Sequence, residues 1–414
     1  MNIAIMGHGV VGSGVAELFS MHADNFAQKT GQDSVDIKYI LDLRDFPDSP
    51  FADRFTKNFN DILNDESVRV VVETMGGLVP AFDYVKSCLE AGKHVVTSNK
   101  ELVAVKGLEL LKIAEEKGVN FLFEASVGGG IPIIRPISQC LSANEIDEIA
   151  GILNGTTNFI LTKMFKDKMN FNDALKLAQD LGYAERNPAA DVEGIDACRK
   201  ICILASLSFG KHVYPEQVYT EGITKISEYD VEYASVWGGV IKLIAMAKRL
   251  PDGHIAAMVS PAFVKTGSQL ASVDDVFNAI LVRGDAIGDV VFYGRGAGKL
   301  PTASAVVADV LDCINHLNKK KNFGWGEGYK DYVVDHTDVD VSLFVRAHAK
   351  GLGVDAASKA VSDAFGNVRF LTKENMPHGE IAFITPVMKE YEINEKLSSV
   401  CEIEVVNKIH VTDY

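Results

Sequence analysis

Asp196 and Lys200, four residues apart, are the side chains in this sequence best placed to do chemistry. On a helix that spacing sets a carboxylate and an ammonium on one face. They follow a polar, turn-rich run, GYAERNPAADVEG, with further acids at Glu185, Asp191 and Glu193. Beyond Lys200 the chain is almost wholly apolar (ICILASLSF), so the pair borders a buried element. Acids and a lysine converging there suit a small zwitterionic substrate. The plain alternative, an i,i+4 surface salt bridge at a helix start, stays open on the residues alone.

A second constellation opens the chain. Asn2 to Met6 reads as a strand, Gly7-His8-Gly9-Val10-Val11-Gly12 as a turn, and the residues through Met21 as a helix. Gly7 permits the tight turn, Gly9 lets backbone approach a pyrophosphate, and Gly12 lets the helix lie close to the strand. A dinucleotide on the backbone of Gly7, Gly9, Val10, Val11 and Gly12 is the expected ligand. The next strand, Asp36 to Leu41, ends at Asp42 and Arg44. Asp42 suits the ribose hydroxyls of NAD and Arg44 the 2′-phosphate of NADP, so both cofactors stand. Asp42 lies further beyond Gly12 than the usual ~20 residues, which requires a longer helix or loop around 29–34.

These side chains need rigid elements to hold them. Val68–Glu73, His94–Thr97 and Asn120–Glu124 read as strands alternating with helices at Ala81–Ala91 and Gly107–Lys117. Such alternation gives a parallel sheet covered on both faces, with ligands at the carboxyl ends of its strands. Ser98 and Lys100 sit at one such end. Glu124 leads into Val127-Gly128-Gly129-Gly130-Ile131, where successive glycines suit close backbone approach or a hinge. Further on, Ile146–Ile152, Val259–Gly267 and Phe277–Gly284 read as strands, Phe171–Leu181 as a helix, and Val231–Leu250 as an amphipathic helix.

Composition sets the limits. The 414 residues suggest two or three domains, and 47% apolar against 23% charged residues allows sizeable cores. A net charge of −15 argues against nucleic acid as a partner. Six cysteines form no CxxC pair and ten histidines no HxxxH pair, so nothing supports a transition-metal site. No apolar run reaches membrane-spanning length and the chain enters a strand directly, so a soluble cytoplasmic protein is expected, without a membrane partner.

Six strings, in order, carry a family resemblance: GHGVVG, AGKHVVTSNK, FEASVGGGIPII, GILNGTTNFILTKM, GYAERNPAADVEGIDACRK and GRGAGKLPTASAVVADV. The sequence closely resembles homoserine dehydrogenases over roughly residues 1–315. The resemblance implies an α/β protein with an N-terminal NAD(P)-binding Rossmann domain (1–130, completed by a helix near 301–317). A mixed α/β substrate-binding and dimerisation domain (131–300) would follow. The implied reaction is the reversible reduction of L-aspartate 4-semialdehyde to L-homoserine with NADPH or NADH, in threonine and methionine biosynthesis. Lys200 then looks like the general acid/base, Asp196 organises the site, and Glu185 with Asp191 binds the substrate amino group. Lys100 lies between cofactor and substrate, and Gly298 closes against the cofactor. The resemblance also implies a sodium ion on the backbone carbonyls of Glu124, Val127, Gly129 and Ile131. Asn187 departs from the Asp that usually precedes Pro188 in this segment. Competing readings are a dehydrogenase of a related amino-acid carbonyl, and a silent nucleotide-binding regulator; the intact Lys100, Glu185, Asp196 and Lys200 speak against the latter.

Residues 318–337 read as a polar linker, and 338–414 as a βαββαβ unit with ferredoxin-like order. The unit resembles the ACT regulatory domain of some homoserine dehydrogenases, which implies an amino-acid effector. Its ligand turn is replaced by Ala349-Lys350-Gly351-Leu352-Gly353, so a domain used only for contacts in a homodimer or homotetramer is the equal alternative.

Overall fold

The computed structural model describes residues 1–351, 353–374 and 376–414. The chain divides into two compact units, one of Met1–Glu145, Cys202–Pro215 and Gly294–Tyr329, the other of Ile146–Ile201, Glu216–Tyr293 and Lys330–Tyr414.

The first unit is built on a parallel sheet in the order Phe55–Thr56, Asp36–Leu41, Asn2–Met6, Val68–Glu73, His94–Thr97, Phe121–Leu122. That is the doubly wound dinucleotide-binding order. Its central strands are valine-rich and closed to solvent on both faces, as helix-covered parallel strands must be. The helix after the glycine turn runs Val10–Thr30, well beyond Met21, and this extension accounts for the long spacing to Asp42. It packs so closely on the helix Lys299–Asn315 that a Cβ on Gly14 would lie 3.0 Å from the Ala303 methyl. Both helices share one core with Ile3, Ile5, Val70 and Val96.

In the second unit a mixed sheet runs Gly288–Arg295, Phe277–Gly284, Ile146–Ile152, Gly239–Arg249, Ile255–Lys265, Ile403–Thr412, Asp340–Ala349, Glu380–Ile384, Arg369–Phe370. Two sequence expectations need correction here. The helix expected over 231–250 ends at Trp237, where Gly238 turns left-handed (φ +95°), and Gly239–Arg249 is a strand. That strand lies between two others and is buried on both faces, so its apolar residues, interrupted by the buried Lys242, carried no period-2 signal. The strand Gly288–Arg295 was not expected at all. It is an edge strand, with Val290, Phe292 and Gly294 half-buried on one face and Asp289, Val291, Tyr293 and Arg295 exposed on the other.

The C-terminal residues do form the expected βαββαβ order, with helices Val354–Phe365 and Glu390–Ser399. Their sheet is not a separate one, however. Strand Ile403–Thr412 pairs in parallel with Ile255–Lys265, so it continues the mixed sheet of the second unit. A buried network adds to the joint: Arg346 donates to Asp230 (2.8 Å), Glu380 (3.2 Å) and the Ser227 hydroxyl (3.1 Å). The stretch 318–337 is likewise no free linker. Trp325 is buried in the first unit and donates its indole N–H to His212 Nδ1 at 3.0 Å, while Tyr332 is buried in the second. Apolar side chains in an otherwise polar run anchor it. Of the replaced effector turn, Leu352 lies outside the described residues. No helix among the described residues is long and apolar enough to cross a membrane.

His94 makes the first unit sensitive to acid. Its Nδ1 accepts the Asn120 N–H at 3.0 Å, and burial pushes its pKa from 6.5 down to about 4. Burial lowers that of His212 to about 4 as well. The unfolded chain therefore binds more protons in this window, and stability falls as pH drops from 6.5 through 4. Each imidazole contributes about 3 kcal/mol over the full range. His94→Gln is expected to flatten this limb in thermal melts taken between those pH values. An unchanged slope would place the acid sensitivity elsewhere.

Candidate active site

At the nucleotide end, the three glycines are needed for three different reasons. Gly7 has φ +97°, a conformation that other residues avoid. A Cβ on Gly12 would sit 1.9 Å from the Gly7 carbonyl oxygen, so only glycine lets the helix start there. A Cβ on Gly9 would meet nothing within 4 Å. That open space lies at the start of the helix Val10–Thr30, which has no side-chain cap and leaves its first N–H groups to an outside acceptor. Val10 is largely exposed beside it and Val11 half-buried. These residues fit a pyrophosphate.

Asp42 is committed. Its Oδ2 accepts the His8 N–H (2.8 Å) and Arg44 Nη2 (2.9 Å), and its Oδ1 accepts the Arg44 N–H and Nε, each at 3.0 Å. The Arg44 guanidinium holds the Asp42 carboxyl well below the usual carboxylate range. Arg44 itself is exposed and lies over the Phe46 ring.

Ser98 follows the strand His94–Thr97, and Lys100, half-buried, begins the helix Lys100–Lys117. Asn99 fixes this corner by accepting the Leu102 N–H at 3.1 Å and donating to the Gly77 carbonyl at 2.6 Å. Sequence reasoning missed Glu73 here. It is fully buried and accepts the Met75 N–H (2.7 Å), the Gly76 N–H (3.2 Å) and the Thr97 hydroxyl. Burial raises its pKa. A glutamate ending the run Val70-Val71-Val72 was the available signal.

In the glycine-rich crossing, a Cβ on Gly129 would lie 2.3 Å from the Gly296 carbonyl oxygen, and the Gly130 N–H donates to the Arg295 carbonyl at 3.1 Å. The glycines let two chain segments pass in contact. Gly298 (φ +129°) then starts the helix Lys299–Asn315. The Glu124 carboxylate accepts the N–H groups of Ile134 (2.8 Å) and Arg135 (2.9 Å), and that of Ile133 as well. Its side chain is thus used in the fold. Among the described residues no backbone hydrogen bond ends on the carbonyls of Val127, Gly129 or Ile131. Sequence reasoning did not anticipate Asp309, which accepts the Glu124 N–H at 2.8 Å and pairs with Arg135 at 3.3 Å.

At the substrate end, Asp196 and Lys200 lie on the helix Ile195–Phe209 and form a buried pair at 2.9 Å, as the spacing predicted. Lys200 Nζ also donates to the Leu153 carbonyl at 2.7 Å. Asn154 was not among the expected residues. Its Nδ2 donates to Asp191 Oδ1 (2.7 Å) and to Asp196 Oδ2 (2.9 Å), drawing the two acids together. The surface-salt-bridge alternative is thereby excluded. Glu185, by contrast, is exposed on the turn after the helix Phe171–Asp180. Its backbone carbonyl accepts from Gln179 at 3.2 Å. Asn187 Oδ1 accepts the Ala189 N–H at 3.4 Å, next to the short helix Ala189–Val192.

Two family models match this chain. The family model "Homoserine dehydrogenase, NAD binding domain" matches residues 7–124, and "Homoserine dehydrogenase" matches 132–311. The homoserine dehydrogenase of Bacillus subtilis is 38% identical over 427 residues, covering 100% of this chain and 97% of that protein. The chain belongs to the homoserine dehydrogenase family. The Pseudomonas aeruginosa homoserine dehydrogenase is 43% identical over 318 residues, 77% of this chain and 73% of that protein. The crystal structure of a homoserine dehydrogenase from Thiobacillus denitrificans superposes with a TM-score of 0.90 at 34% identity, covering 100% of this chain and 98% of that one. A hyperthermophilic archaeal homoserine dehydrogenase in complex with NADPH has a TM-score of 0.65 at 27% identity, over 75% of this chain and 97% of that one. This chain is therefore a nicotinamide-dependent oxidoreductase that interconverts L-homoserine and L-aspartate 4-semialdehyde.

For such a homoserine dehydrogenase the glycines make separable predictions. Gly9→Ala is expected to leave the melting temperature nearly unchanged, since its Cβ enters open space, while weakening nicotinamide cofactor binding about tenfold or more. Gly12→Ala is expected to lower both. Cofactor titration followed by fluorescence, alongside thermal melts, checks the contrast. Equal cofactor affinity in Gly9→Ala would move the pyrophosphate off this turn.

Proposed function

We propose that Lys200 is the proton donor and acceptor of the homoserine dehydrogenase reaction, with Asp196 as its organiser. The bound nicotinamide cofactor supplies or takes up the hydride. In the reducing direction a hydride adds to the aldehyde carbon and Lys200 gives a proton to the oxygen; in the oxidising direction Lys200 takes the hydroxyl proton back. The observation that carries this reading is the buried Lys200, held on one side by Asp196 and on another by the Leu153 carbonyl. Its ammonium is fixed by two short contacts rather than swinging in solvent, as proton transfer to a defined oxygen requires. Asp191 and Glu185 serve the substrate ammonium group, and Lys100 serves the nicotinamide end.

The cofactor we propose is NADP(H). In support, Asp42 spends both oxygens on bracing Arg44 and the His8 N–H, while Arg44 presents an exposed guanidinium suited to a 2′-phosphate. A sodium ion on the carbonyls of Glu124, Val127, Gly129 and Ile131 also belongs to this proposal. Its support is that Val127 and Ile131 are buried while their carbonyls accept no backbone hydrogen bond among the described residues. The working form is taken to be a homodimer or homotetramer, with the C-terminal βαββαβ part as an ACT-like element for effector or contact.

Lys200→Ala should cut turnover of L-homoserine by ~10²-fold or more with cofactor affinity nearly unchanged; near-normal turnover would end its assigned role. Arg44→Ala should raise the KM for NADP about tenfold or more and leave that for NAD within about twofold. Equal effects on the two cofactors would mean that the guanidinium does not meet the 2′-phosphate.

A further inference from the structure

The Asn154 amide makes four hydrogen bonds that together leave it a single orientation. Its Oδ1 accepts the Thr157 N–H at 2.8 Å and the Thr157 hydroxyl at 3.0 Å, so it caps the helix Gly155–Lys166. Its Nδ2, with two hydrogens, faces two carboxylates, Asp191 Oδ1 at 2.7 Å and Asp196 Oδ2 at 2.9 Å. An amide turned the other way would set its oxygen against both acids and its N–H groups against donors. The Asp196 oxygen it reaches is the same one that meets Lys200 Nζ. Leu153, the preceding residue, gives its carbonyl to Lys200. One two-residue turn thus holds the lysine with a carbonyl and the two acids with an amide.

That turn is itself firmly placed. Asn158, one helical turn on, donates to the carbonyls of Val273 (3.0 Å), Asp275 (3.0 Å) and Phe277 (3.1 Å) and accepts from the buried Lys242 at 3.1 Å. A Cβ on Gly155 would lie 2.7 Å from the Val276 carbonyl oxygen, so the helix start rests directly on that loop.

We infer that Asn154 is a positioning residue of the reaction, a neutral donor that holds Asp191 and Asp196 side by side as acceptors and so fixes the acid cluster around Lys200. Two carboxylates that close repel each other, and their lowest-energy response is to separate or to share a proton. An amide donating to each offsets that repulsion without adding charge, so both acids can stay carboxylates beside Lys200. The class of ligand this arrangement takes is a primary ammonium, as on an α-amino acid. A lysine or arginine at 154 would do the same electrostatic work but would compete with that ammonium. This inference rests on the roles proposed above for Asp196 and Lys200.

The cap and the donor can be separated experimentally. Serine and aspartate cap helices about as well as asparagine, but serine is too short to reach the two acids, and aspartate presents an acceptor to them. Asn154→Ser is expected to melt within about 3 °C of the parent. Its kcat/KM for L-homoserine should fall about tenfold or more, with the cofactor KM within about twofold. Asn154→Asp should lose about another tenfold, chiefly through the homoserine KM, because it adds a charge to the cluster. The inference is overturned if Asn154→Ser keeps parental kcat/KM, or if its loss merely tracks a loss of folded protein. It is equally overturned if Asn154→Asp matches or exceeds Asn154→Ser, or if neither variant folds, since each result leaves only the cap. Lys200→Ala run beside them separates the two failures: an active Lys200→Ala removes the proposed site, whereas an inactive one with active Asn154 variants removes only the role of Asn154.

Discussion

A buried ammonium beside a buried carboxylate persists only if the remaining donors and acceptors around it are also met, because taking two charges out of water costs several kcal/mol per ion. Asp196 and Lys200 impose that condition on the second unit. The partners they require come from the Leu153–Asn154 turn, not from their own helix. A strand end, the start of one helix and the start of another must therefore arrive at one point. The sheet holds the strand Ile146–Ile152 between two neighbours, and Asn158 ties the helix Gly155–Lys166 to the loop beyond Ser272. Asn154 and Asn158, both buried, are the polar side chains that hold this turn in place.

The nucleotide end follows a different logic, of space and unsatisfied backbone in place of buried charge. Its glycines either remove clashes, as at Gly12, or leave a void, as at Gly9. Buried acids at strand ends do the bracing. Glu73 gathers the loop that follows its own strand, and Glu124 gathers the N–H groups of 133–135. Neither carboxylate is placed to meet a ligand, yet each shapes the backbone around the proposed cofactor and ion positions.

The C-terminal residues are continuous with the catalytic fold. Parallel pairing of Ile403–Thr412 with Ile255–Lys265, and the buried Arg346–Asp230–Glu380 network, join them to the mixed sheet of the second unit. Breaking such a network strands buried charge, so this joint resists independent motion.

Much of the chemistry was legible in the sequence because it is local. The turn Gly7–Gly12 and the i,i+4 partners Asp196 and Lys200 are each set by spacing along one element, and spacing is what a sequence displays. The six strings in family order likewise fixed the reaction. What stayed hidden depends on contacts between distant segments. Asn154 reaches Asp191 and Asp196 only once strand and helix have met, and Glu73 becomes a brace only when the strand His94–Thr97 lies beside it. The strand Gly239–Arg249 looked helical because a strand buried on both faces loses its alternation, and only its neighbours reveal it. The sequence by itself determined the chemical groups and the local geometry of the turns and helices that carry them. Tertiary structure alone decided which polar partners would neutralise those groups, because burial creates the need for a partner and only the folded chain can supply it.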